Sequence, residues 1–313
     1  MTKSRIITIA LIVLLIALAV SAWFAFGTTA AGIEYANADQ YTAGDTTVTG
    51  AVENLFIDWT SGRVNIEYHD GSEIFISETA SKTLSEDDRL RWWLDGTTLR
   101  IRYAKSGFRI SFNLEKTLTV SLPEGTVLKS ADIGTTSGDI VIPNLVADEV
   151  RLNSTSGSIK AVTATKKLTA SSTSGDVNVR QDSDIDTVDL NSTSGSIGVT
   201  VTGSAETVRM QSTSGNLYPE IASAVSLETS STSGSVTGSV ASFTDLKVGS
   251  TSGSVTLKLP AEPGFTLKAG TTSGSFSSDL ALSKSGDTYT CGDGSARCSI
   301  HTTSGDIRID PVQ

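Results

Sequence analysis

The stretch Val188-Asp-Leu-Asn-Ser-Thr-Ser-Gly-Ser-Ile197 decides how this chain folds. Val188 and Leu190 lie seven and five residues before Gly195, and Ile197 lies two after it. Apolar residues two apart, separated by polar ones, have the period of a half-buried strand. The Ser-Thr-Ser-Gly between them reads as a corner joining two such strands. Glycine suits that corner through either a positive φ or close backbone approach.

The same pattern recurs in both directions. From residue 134 onward Thr/Ser-Thr-Ser-Gly places its glycine at Gly138, Gly157, Gly175, Gly195, Gly215, Gly234, Gly253, Gly274 and Gly305. The position two after the glycine is apolar in every copy, from Ile140 to Ile307. The position seven before runs from Ala131 to Cys298, and the position five before from Ile133 to Ile300. A near-constant period of this kind marks a solenoid. The prediction is an all-β chain: a β-helix-like solenoid of about nine coils of 18–21 residues over 126–313. At about 4.8 Å per coil it would stand roughly 40 Å tall. Its corner Thr and Ser would form hydroxyl ladders, each pair contributing ~0.2–1 kcal/mol. By analogy with crossover connections the coil is expected to be right-handed. Regular glycines and β-branched residues disfavour helix. A glycosylated mucin-like stalk would lack the alternating apolar positions and carry far more than six prolines.

Residues 45–125 are less regular and read as an N-terminal β cap, which a solenoid needs to close its core. Thr60-Ser61-Gly62 is an early corner, with Trp59 in place of the first hydroxyl. Further strands are predicted at Glu73–Glu78, Thr98–Tyr103, Gly107–Leu114 and Leu118–Leu122, with turns at Asp70-Gly71 and Asp95-Gly96. Trp92, Trp93, Phe108 and Phe112 read as cap core, with a carbohydrate-stacking surface as the alternative. The last repeat interval is 31 residues and contains Cys291-Gly-Asp-Gly-Ser-Ala-Arg-Cys298. In an exported chain this loop predicts a Cys291–Cys298 disulfide pinning the final coil. The open edge of that final coil is expected to accept a partner strand.

Ile6 to Phe26 carry no charge and, as a helix, would reach roughly 31 Å, enough to span a bilayer core. Lys3 and Arg5 precede this segment, so residues 1–5 are expected in the cytoplasm and everything after the helix outside. A signal peptide cleaved near Ser21 or Ala30 is the alternative, which would leave a secreted protein. Residues 27–44 read as a juxtamembrane linker.

Composition narrows the function. Of 313 residues 87 are Ser or Thr, and the net charge is −10. That acidity disfavours nucleic acid as a partner. Two His and two Cys leave little material for a metal centre or a nucleophile pair, and no metal or cofactor site is predicted. Asp139, Asp176 and Asp306 follow their corner glycines in nonadjacent repeats, so stacked carboxylates are not expected. Asp182, Asp184, Asp186 and Asp189 form the densest acidic stretch and read as a solvated loop. His69 sits before a turn and His301 beside the last corner; neither is placed for a hydrolytic triad. Asn153 and Asn191 open formal glycan acceptors that simply precede a corner.

Trp59-Thr-Ser-Gly-Arg-Val-Asn-Ile66, Leu118-Thr-Val-Ser-Leu-Pro-Glu-Gly125 and the serial Thr-Ser-Gly-Asp/Ser-Ile/Val of 136–140 and 303–307 resemble the bacterial, membrane-linked Toastrack family. The resemblance spans about 45–310. It implies an adhesin-like architecture without an agreed catalytic site, and association with envelope-stress modules in some members. The expected function is therefore a non-enzymatic surface for adhesion or envelope scaffolding. A stress regulator is the first alternative and a polysaccharide-processing β-helix enzyme the second. Ligand and oligomeric state are not legible.

Overall fold

Alternating burial runs the length of the chain and sets its architecture. The computed structural model describes residues 35–106 and 114–312. These form one continuous sheet system of strands with two 3₁₀ turns, Ala38–Gln40 and Glu86–Asp88. The expected membrane helix Ile6–Phe26 and the aromatic residues Phe108 and Phe112 lie outside the described residues. No helix among the described residues is long and apolar enough to cross a membrane.

Parallel strands stack coil upon coil in register. The column seven before each glycine runs Ala131, Val150, Leu168, Val188, Val208, Leu227 and Leu246. The column two after the glycine runs Val64, Ile140, Ile159, Val177, Ile197, Leu217, Val236 and Val255. Every residue of the second column is fully buried. Parallel pairing suits these strands because their apolar rows face one shared core.

The glycines act through proximity. None of the nine corner glycines of the array has a positive φ; the early Gly62, at 94°, does. A Cβ on Gly157, Gly175, Gly195 or Gly215 would sit 1.9–2.0 Å from the carbonyl oxygen of the preceding corner glycine. Side chains are excluded because the corner backbones nearly touch.

The hydroxyl ladders also differ from expectation. At six of the nine corners the residue three before the glycine is a buried serine whose Oγ accepts the glycine N–H, as in Gly175 to Ser172 (2.8 Å) and Gly234 to Ser231 (2.8 Å). The same hydroxyls donate to the preceding glycine carbonyl, at 3.4 Å for Ser172 to Gly157 and 3.2 Å for Ser231 to Gly215. Thr135 to Ser154 (3.1 Å) is a direct hydroxyl contact; elsewhere the relay passes through the backbone. The following Thr and Ser of each corner are half-buried or exposed. Ser231→Ala is expected to lower stability by about 1–3 kcal/mol, because the Gly234 N–H loses its buried acceptor. Ser233→Ala, on the exposed rim, is expected to stay within about 0.5 kcal/mol in the same denaturant titration.

Both ends of the stack depart from chain order. The Gly305 coil (Ala296–Thr302 and Ile307–Pro311) lies between the Gly253 and Gly274 coils. Cys298 pairs with Leu246 on one side and Leu267 on the other. The corner hydroxyls agree: Thr302 donates to the Gly253 carbonyl (2.8 Å), and Thr271 to that of Gly305 (2.9 Å). The expected free edge on the final coil is therefore absent. The end coil is that of Gly274, and antiparallel Thr288–Cys291 covers the Phe265–Leu267 part of its Phe265–Thr271 strand.

The cap mirrors this arrangement. The Gly62 coil (Asn54–Trp59, Gly62–His69) lies between Thr98–Arg102 with Lys116–Pro123 and the Gly138 coil. Antiparallel Arg91–Asp95 and Ile74–Ala80 close the outer edges. Arg91–Asp95, which carries Trp92 and Trp93, was not among the predicted strands. Its hairpin turns at Gly96 (φ 60°), the conformation a tight two-residue loop requires. The chain is docked from Tyr35 onward. Tyr41 is buried, and Thr42 pairs with Trp92, so 35–44 of the expected linker belongs to the cap.

Candidate functional site

Most residues with chemical potential are committed to the stack. The side chain after the corner glycine bonds the next coil's backbone. Asp139 Oδ1 accepts Ser158 N–H (2.9 Å), Asp176 accepts Ser196 (2.8 Å), Asn216 accepts Ser235 (2.9 Å) and Asp306 accepts Ser275 (2.8 Å). Each Asp or Asn in this column is followed in the stack by a serine whose N–H it accepts, although Ser235 and Ser254 lie on neighbouring coils with no acceptor between them. The Ser275 hydrogen bonds hold the Asp306 carboxyl below the usual carboxylate range.

The acidic run is dispersed. Asp182 pairs with Arg180 (2.7 Å), Asp184 accepts Ser204 N–H (2.8 Å) and Asp189 accepts from Asn191 (3.0 Å). Both His69 ring nitrogens serve its turn: Nδ1 accepts Gly71 N–H (2.9 Å), and Nε2–H donates to Glu73 O (2.8 Å). His301 is exposed beside Gly249 and Gly270.

Cys291 and Cys298 are buried free thiols, contrary to the predicted disulfide. Strand Phe265–Thr271 runs between them, with Phe265 opposite Cys291 and Leu267 opposite Cys298. Two strand spacings of about 4.8 Å exceed the roughly 7 Å that a bridge can span between Cα atoms. Burial pushes both thiols up, Cys298 far more than Cys291. Thiol titration is expected to find both cysteines after denaturation and Cys298 unreactive in the native protein.

One buried charge has no counterpart in the sequence reading. Lys116 is fully buried inside the cap. Its Nζ lies 2.7 Å from Glu78 Oε2 and donates to the carbonyls of Asp88 (2.7 Å) and Tyr103. The rings of Trp59 and Tyr103 flank it, with centroids at 4.9 and 4.1 Å. Burial holds the lysine below its ordinary range while Glu78 pulls the other way. All three ammonium donors have partners and no opening reaches them, so the cluster fastens four segments of the cap.

The accessible chemistry lies on the outer face of the strands that precede each corner. One outward column runs Asp132, Arg151, Thr169, Asp189, Arg209, Glu228 and Lys247, with charges alternating in sign around Thr169. Arg209 meets Glu228 at 3.5 Å; in the neighbouring column Lys167 meets Glu149 at 3.0 Å. Such cross-strand pairs support register. They also leave a flat, charge-balanced, hydroxyl-rich surface.

At the cap end this face is cut by a groove of about 230 Å³. Phe56 stands in its wall, with Arg100 on the neighbouring strand and Asp132 on the other side. The guanidinium carbons of Arg100 and Arg102 lie 5.5 and 5.3 Å from the Phe56 ring centroid. Arg102 pairs with Asp58, whose carboxyl burial pushes up against the pull of that arginine. Asp132 is likewise pushed up by burial, opposed by Arg151. Of the aromatic residues singled out in the sequence, Trp92 packs on the core and half-buried Trp93 packs edge-on against Tyr41, at 5.6 Å. The aromatic residue in the groove is Phe56, which sequence reading missed. Its outward position between Leu55 and Ile57 was the available signal.

Three of the solved structures that this chain resembles are as follows. A proposed lipid binding protein from Parabacteroides distasonis is 16% identical over 88% of this chain and 98% of that chain, with a TM-score of 0.50. A proposed adhesin from Bacteroides fragilis is 14% identical over 90% and 100%, at 0.40. A proposed cell adhesion protein from Clostridium sporogenes is 14% identical over 87% and 100%, at 0.21. The first supports the fold and, at this identity, nothing beyond it. No curated protein matches the sequence. The family profile described as Toastrack DUF4097 matches residues 52–310, which takes in the early Gly62 corner, the groove strands and the whole repeat array. The chain belongs to the Toastrack family, DUF4097.

Proposed function

We propose that this protein is a non-enzymatic interaction surface, held at the cell membrane by Ile6–Phe26 with its β-stack outside the cytoplasm. The observation that carries the reading is the outer face. Its charged and hydroxyl columns stay in register from coil to coil, so one weak contact can be repeated along an extended partner. Most of the carboxylates singled out in the sequence, and His69, are engaged in holding turns and neighbouring coils, which supports binding over catalysis. Adhesion or envelope scaffolding is the function this surface serves.

Cells displaying the full chain are expected to retain envelope material better than cells displaying a variant with Arg209→Glu and Lys247→Glu. Both are exposed, so the fold should tolerate the changes. Equal retention by the two would sink the reading. An effect lost on exchanging Ile6–Phe26 for a generic anchor, with retention intact, would favour a regulatory role instead.

A further inference from the structure

We propose that the groove beside Phe56 binds a neutral saccharide residue, held by the Asp132 carboxylate, the Asn54 amide, the Thr98 hydroxyl and the guanidinium groups of Arg100 and Arg151. This rests on the interaction-surface reading and gives it a ligand class.

Asp132 is the starting point. Several charges of the outer face find partners, as in Glu149 with Lys167 (3.0 Å), Arg209 with Glu228 (3.5 Å) and Asp245 with Lys247 (2.7 Å). Among the described residues Asp132, although half-buried, makes no hydrogen bond or ion pair. Its neighbour Arg151 is engaged with Glu149 at 2.7 Å. A partly desolvated carboxylate without donors is unfavourable. Ligand hydroxyls would supply them.

Unused donors stand close by. Asn54 accepts from Ser130 through Oδ1 (2.8 Å), which leaves its amide hydrogens. Arg100 is engaged through Nε to Asp95 (3.1 Å), and Arg151 through one terminal nitrogen. The two guanidiniums therefore keep further N–H groups. Asn54 and Arg151 lie on the two strands that flank the Asp132 strand, roughly 5 Å away, and Arg100 lies one strand further. Adjacent sugar hydroxyls match that pattern: one donates to the carboxylate while the next accepts from a guanidinium or amide.

Charge and size narrow the class. Arg100 and Arg151 balance Asp132 and Glu149 around the groove, so neither a polyanion nor a polycation gains net attraction. The volume, about 230 Å³, is below the usual range for drug-sized ligands and suits a single ring. The groove opens onto the columns of Thr169, Thr187, Thr207 and Ser226, along which further sugar units of a glycan could lie.

The test uses the full chain in detergent and calorimetric titration with fully N-acetylated chitotetraose, maltotetraose and a β-linked galactotetraose. Polygalacturonate and a chitosan oligomer serve as charged comparators. At least one neutral tetrasaccharide is expected to bind at about millimolar Kd or tighter. Asp132→Asn and Arg151→Gln should each weaken it by about tenfold or more. Asp189→Asn, on the same face, should leave it within about twofold. Circular dichroism and unfolding midpoints matching wild type would show that the variants fold. Absence of binding by every neutral probe, equal binding by Asp132→Asn, or preference for either charged polymer would overturn the proposal. Cells that still retain envelope material while the protein binds no saccharide would remove the sugar site and leave the broader reading standing.

Discussion

Gly195→Ala is expected to lower the unfolding free energy by about 3 kcal/mol or more, read as a shift in denaturant midpoint. The added Cβ would sit 2.0 Å from the Gly175 carbonyl oxygen and 2.9 Å from the Asp176 nitrogen. Both atoms belong to the backbone ladder, so relief requires two coils to separate at the corner. There the Ser194 N–H to Thr173 carbonyl bond (3.0 Å) holds them together. Two controls separate this cause from a general intolerance of side chains. A Cβ on Gly138 would lie 3.2 Å from the Gly62 carbonyl, a far milder contact. A Cβ on Gly249 would meet its nearest neighbour at 4.0 Å, and Gly249→Ala should change stability by less than about 0.5 kcal/mol. Equal losses at Gly195 and Gly249 would discard the close-approach account.

The second large effect is expected in the cap. Lys116→Met or Glu78→Gln alone should cost about 3–5 kcal/mol, because each leaves a charge buried without its counter-ion. The double variant should cost much less than the sum. That non-additivity is the signature of a coupled pair, and a double-mutant cycle measures it. Glutamine preserves an oxygen for the Leu90 N–H that Glu78 now accepts at 2.7 Å, so the cycle isolates the charge. Additive losses would mean that the two side chains stabilise the cap independently.

How much of this was legible varied with the range of the interaction. The core columns could be read directly, since Val188, Leu190 and Ile197 repeat their offsets in copy after copy. A two-residue period assigns faces without any knowledge of neighbours. The order of the last coils could not be read that way, because periodicity assumes that consecutive repeats are adjacent in space. A clue existed in the column after the corner glycine. Each Asp or Asn there precedes a serine whose N–H it accepts, and Asp306 finds such a serine only when its coil precedes that of Ser275. The predicted disulfide failed for the same reason: eight residues of sequence proximity concealed an intervening strand from elsewhere. Lys116 was overlooked although Lys116, Leu118, Val120 and Leu122 share one inward face. An inward lysine in such a row signals a buried partner. The groove was hardest, because Asn54, Arg100, Asp132 and Arg151 meet only through register across four strands.

The intercalated ends bear on how the protein resists force. Were the Gly305 coil outermost, tension on the carboxyl terminus would peel it away one ladder at a time. Because it is clasped by the Gly253 and Gly274 coils, pulling Ile307–Pro311 free must rupture hydrogen bonds on both flanks together. The Gly62 coil is clasped in the same way near the amino-terminal side. A stack built like this yields by shear at its ends and not by unzipping one ladder at a time.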